Sequence, residues 1–86
     1  MQNNDVFIEA EKILKNLCKE SVLIGKFEIG FSSEEYGIII HYCHGTVIFK
    51  KLFNCNISSI DQVEIYCKRE FIDFCFNIIA CTIGEN

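Results

Sequence analysis

The most reactive stretch of the chain is His41-Tyr42-Cys43-His44. An imidazole and a thiol two residues apart on a strand project to the same side, the starting point of a zinc site or of a thiolate with its base. His44 and Cys55 are the nearest groups that could complete a zinc shell. The spacing argues for neither chemistry. Structural zinc sites usually carry Cys pairs two to four residues apart, and none of the six cysteines (Cys18, Cys43, Cys55, Cys67, Cys75 and Cys81) lies within four residues of another. A nucleophilic Cys also needs positioned amides for its oxyanion, which spacing does not provide. Glu34-Glu35 is a carboxylate pair, but adjacent acids in a turn are ordinarily just solvated. The glycines at 25, 30, 37, 45 and 84 match neither a P-loop nor a dinucleotide fingerprint. The expectation is a protein that is not an enzyme and uses no cofactor, with His41, Cys43 and His44 as the weak metal alternative, a small zinc-binding structural protein.

The elements that would carry these groups follow from hydrophobic spacing. In residues 5–20 the apolar positions Val6, Phe7, Ala10, Ile13, Leu14, Leu17 and Cys18 fall at intervals of three and four, an amphipathic helix with Asn4 or Asp5 as its cap. From residue 21 the period becomes two. SVLIGKFEIGF reads as a strand with Leu23, Phe27, Ile29 and Phe31 on one side. SSEE is a turn, and YGIIIHYC is a second strand whose Ile38-Ile39-Ile40 run suits the centre of a sheet. Gly45 can take the positive φ of a tight hairpin before a third strand over residues 46–53.

Ser59 with Gln62 three residues on is a capping-box signal for a second helix. One stripe of that helix (Ile60, Val63, Cys67, Phe71, Phe74, Ile78, Cys81) can cover the sheet. A second stripe, Ile65, Ile72, Phe76, Ile79 and Ile83, points elsewhere and is expected to meet a second copy or a partner. The competing readings are burial of this stripe within the single chain and a fourth strand over residues 75–83, where β-branched residues are frequent.

The expected fold class is therefore α+β, a single domain over residues 1–86 in the order α-β-β-β-α, with two helices on one face of a three-stranded antiparallel meander. The other sheet face, with Val22, Ile24, Ile39, His41 and Ile48 beside Lys26 and Glu28, is too apolar to be simply wet and is a further contact candidate.

Charge narrows the partners. Twelve Asp and Glu against eight Lys and Arg give a net charge of −4, with Arg69 as the sole arginine. Nucleic-acid affinity rests on basic groups that release counterions, so direct nucleic-acid binding is not expected. A partner protein with a basic surface is, and Glu9, Glu11, Glu28, Glu34, Glu35, Asp61 and Glu64 are the carboxylates available to it. The first ten residues are not expected to act as a signal peptide, and the apolar-rich residues 71–83 would span only ~20 Å as a helix, against the ~30 Å of a bilayer core. The expected location is cytoplasmic, with the cysteines reduced.

The α-β-β-β-α order resembles the topology of double-stranded RNA-binding domains. That resemblance implies lysines at the start of the second helix, where this chain has Ser58-Ser59-Ile60-Asp61-Gln62 and no cation before Lys68. The same order with an acidic surface resembles some small phage anti-CRISPR proteins, which implies inhibition of a defence nuclease by occupancy. The expected function is thus a small acidic protein-binding inhibitor, with a toxin-neutralising immunity protein as the rival built on the same physics.

Overall fold

The computed structural model describes residues 2–34, 36–56 and 59–84, and within them the side chains of residues 5–82. The elements run α1 (Gln2–Glu20), β1 (Lys26–Ser32), β2 (Gly37–His44), β3 (Val47–Asn54) and α2 (Val63–Gly84). The three strands form one antiparallel sheet in the order β1-β2-β3, and both helices pack on the same face of it. The fold is α+β, as the periodicities require.

In α1 the residues Val6, Ala10 and Leu14 recur every four positions and are buried, flanked by half-buried Phe7, Ile13, Leu17 and Cys18. Its polar side is laced by Glu9–Lys12 at 3.9 Å and Glu11–Lys15 at 3.1 Å. The helix closes with the Ser21 N–H bonded to the Cys18 carbonyl, and the Leu23 N–H then bonds the Ser21 hydroxyl oxygen at 3.1 Å. The Gly25 N–H donates to the Tyr42 hydroxyl at 2.8 Å. These bonds take the Ser21, Leu23 and Gly25 N–H groups outside the ladder, and the strand expected from residue 21 begins only at Lys26. A Cβ at Gly25 would overlap the Tyr42 ring, which makes that position glycine by necessity.

The ladder pairs Phe27 with Tyr42, Ile29 with Ile40 and Phe31 with Ile38, and continues Tyr42 to Phe49, Ile40 to Lys51 and Ile38 to Phe53. These positions form the inner face. Ile38, Ile40 and Phe53 are fully enclosed, as a central strand under two helices demands, while Ile39 on the reverse face is half-buried. The β2–β3 hairpin turns at Gly45 with φ 65°, the left-handed value anticipated there. Tyr36 also takes a positive φ, 48°, and is held there by its ring against Phe7 at 5.3 Å and its carbonyl on the Cys55 N–H.

Before α2, the Ser59 carbonyl accepts the Gln62 N–H, and the Gln62 carbonyl accepts the Tyr66 N–H at 3.0 Å. Residues 59–62 are therefore a turn closed by backbone, and the helix starts at Val63 instead of at the expected Ser59 cap. Val63, Cys67, Phe71, Phe74 and Ile78 form its buried stripe. Ile60 stays half-exposed because it precedes the helix, and Cys81 is exposed towards the helix C-terminus. Residues 75–83 are helical, which excludes the fourth strand.

The two helices run the same way. Phe7 of α1 stacks at 5.3 Å on Phe31, and the Tyr66 hydroxyl of α2 accepts the Asn54 N–H at 2.9 Å, so both helix N-termini stand beside the β1–β2 turn. Both C-termini stand beside residues 21–25, with α2 reaching on to the β2–β3 hairpin.

Candidate interaction surfaces

The outer face of the sheet is read directly from the register. Three rows cross it: Lys26, Cys43 and Ile48; Glu28, His41 and Lys50; Gly30, Ile39 and Leu52. Among the described residues no element lies over them, and Ile48 is 66% exposed. His41 and Cys43 belong to these rows, but His44 has the opposite parity and lines a groove on the inner side with Tyr42 and Phe49. Cys55 is buried at the far end of the sheet against Cys67. The four groups that a zinc site would have needed thus lie in three places, and among the described residues no three His, Cys, Asp or Glu side chains are placed to hold a metal ion.

All six cysteines are free. Burial pushes the Cys18 and Cys67 thiols up to about 12, with a further push from Cys75 and Cys55 respectively, and burial raises Cys55 and Cys75 as well. These are neutral packing groups, the reverse of an activated nucleophile.

The carboxylates divide into two sets. Glu34 lies in the β1–β2 turn, Asp61 in the turn before α2, and Glu9 and Glu64 in the N-terminal parts of the two helices, so all four belong to the end where both helices start. Asp5, in the first turn of α1, joins them. Acidic groups at helix N-termini are favoured by the dipoles they face, which makes this end acidic at low cost. Glu64 is paired with Lys68 at 2.8 Å, a hydrogen bond that holds its carboxyl below the usual range. Glu11 is directed along α1 to Lys15, and Glu28 lies in the middle of the outer sheet face, in the row of His41 and Lys50. Glu35 lies outside the described residues. Lys51, half of the only basic doublet in the strands, points inward and binds Glu70 at 3.1 Å and Asp73 at 3.9 Å, so of the doublet only Lys50 adds charge to the outer face.

The second stripe of α2 faces away from the core. Ile65, Ile72, Phe76 and Ile79 are between 38% and 64% exposed, and the Ile83 side chain lies outside the described residues. Sequence reasoning missed how this stripe is extended. Val22 and Ile24 were expected on the outer sheet face. Because residues 21–25 leave the ladder, these side chains instead stand beside α2, at 91% and 83% exposure. Two grooves of about 350 Å³ each meet at Val22, Leu23 and Ile79, one running along α2 past Ile72 and Phe76, the other towards Val47 and Phe49. The signal available in the sequence was Ser21 directly after a helix end followed by Gly25, the composition of a turn and not of a strand.

Comparison with protein-family models, with curated proteins and with solved structures finds no match to this chain. Among the described residues, no helix is long and apolar enough to cross a membrane.

Proposed function

We propose that this chain is a small acidic inhibitor that works by occupying a partner protein, of the kind that phages and mobile elements direct against defence nucleases, the anti-CRISPR type included. The observation that carries the reading is the gathering of Asp5, Glu9, Glu34, Asp61 and Glu64 at one end of the fold. A nuclease groove is basic because it must hold phosphates, and an acidic end competes for it without any chemistry of its own. The carboxylates speed and orient the encounter, and exposed apolar side chains nearby, such as Phe31 and Ile60, supply contact that charge alone does not. The buried, protonated thiols suit a reducing cytoplasm. An immunity protein that neutralises a toxin nuclease would use the same end.

The test is titration of the purified chain against a panel of RNA-guided nucleases and bacterial toxin nucleases. One of them should lose activity at one chain per enzyme, with an affinity that weakens as salt rises. Glu34→Lys combined with Asp61→Lys should raise the half-inhibiting concentration by roughly 10-fold or more at low salt. Inhibition that ignores the charge reversal, or direct binding of nucleic acid by the chain, contradicts the reading.

A further inference from the structure

We propose that the outer face of α2 is a dimerisation seam through which two copies of the chain join with their α2 helices antiparallel. Ile65, Ile72 and Ile79 repeat every seven residues, and Arg69, Phe76 and Ile83 do the same four residues later. Alternating steps of four and three are the spacing of the two core positions of a left-handed coiled coil. On this helix the seam is displaced from the buried stripe by about half a turn, because the intramolecular core already uses Val63, Cys67, Phe71, Phe74 and Ile78.

The surface area favours a second copy as the occupant. A folded monomer of 9.9 kDa is expected to expose about 5,200 Å². This chain exposes 5768 Å². Its radius of gyration, 13.2 Å, likewise exceeds the about 12 Å expected for a compact chain of this length. The surplus of several hundred Å² is of the order that each side of a standard interface covers, about 800 Å². The groove flanked by Leu17, Val22, Ile72, Phe76 and Ile79 gives the seam a recess for the second copy's side chains.

Charge fixes the direction. Parallel helices would set Arg69 against Arg69 inside the seam. A twofold axis near residue 74 instead puts Ile72 opposite the partner's Phe76 in both directions, and Arg69 beside the partner's Ile79, close to the last turn of a helix that carries no basic residue there. Asp73 flanks the axis, where Lys51 at 3.9 Å offsets its charge.

Sedimentation of the intact chain tests the seam. The expected mass is twice 9.9 kDa, and Phe76→Asp should weaken the dimer roughly 100-fold with helical circular dichroism unchanged. Ile48→Asp, on the outer sheet face, should leave the dimer intact. Ile79→Glu places a carboxylate opposite the partner's Arg69 and should preserve the dimer, whereas Ile79→Lys should dissociate it. A monomer at every concentration, or a dimer broken by Ile48→Asp and not by Phe76→Asp, overturns the proposal. Equal dissociation by the two Ile79 variants overturns the antiparallel arrangement.

Discussion

The two sides of α2 are chemically alike and structurally opposite. Its inner stripe, Val63, Cys67, Phe71, Phe74 and Ile78, is no more than 5% exposed, while on the outer stripe Ile65, Ile72, Phe76 and Ile79 start at 38%. A hydrophobic pattern records that a side chain avoids water, not which molecule shields it. On the inner side the shield is the chain's own sheet. On the outer side the same physics calls for something the single chain does not contain.

Exchanging the two phenylalanines breaks this comparison most visibly. Phe74→Ala should cost about 3 to 5 kcal/mol of subunit stability, because it empties a packed site. Phe76→Ala should cost under about 1 kcal/mol of subunit stability in urea unfolding while weakening self-association. Equal losses would mean that the two faces are equally enclosed. A smaller contrast is carried by cysteine. Cys67→Ser puts a hydroxyl where nothing is exposed and should cost about 1 to 3 kcal/mol, whereas Cys81→Ser should stay within ~0.5 kcal/mol. In the groove towards Val47 and Phe49, Tyr42→Phe leaves the Gly25 N–H without its acceptor and should cost about 1 kcal/mol by thermal melting. It should also release Val22 and Ile24 from their place beside α2.

A further contrast between the faces appears in alkali. The unfolded chain releases its thiol protons near 9, while the folded chain holds those of Cys18 and Cys67 to about 12. A raised folded value means that the unfolded state binds fewer protons in this window, so stability complete below 9 drains as pH climbs towards 12. Cys55, Cys75 and Tyr66 pull the same way. The melting temperature should therefore fall between pH 8 and pH 10.5, and a flat profile would show that these thiols are not held protonated.

Much of the inner architecture was legible because each element obeys one period. Ile38 and Ile40 announce a central strand, Gly45 a left-handed turn, and Val63 to Ile78 at steps of three and four a covering helix. The failures are local hydrogen bonds that compete with the period. Ser21 and Tyr42 capture the amides of Leu23 and Gly25, so alternation that reads as strand is turn. Ser59 closes a backbone turn where a capping box was expected. The shared position of the acidic groups was not legible, since Glu34 and Asp61 are 27 positions apart and come to the same end only because the antiparallel meander returns the end of β3 to the side of the β1–β2 turn.

The most direct measurement is methyl NMR with a soluble paramagnetic probe, at protein concentrations where the dimer is populated. The Ile72 and Ile79 methyls should then be shielded almost as well as that of buried Ile78, while Ile48 is broadened, and dilution or Phe76→Asp should expose them. Broadening of Ile72 and Ile79 equal to that of Ile48 at every concentration would contradict the account.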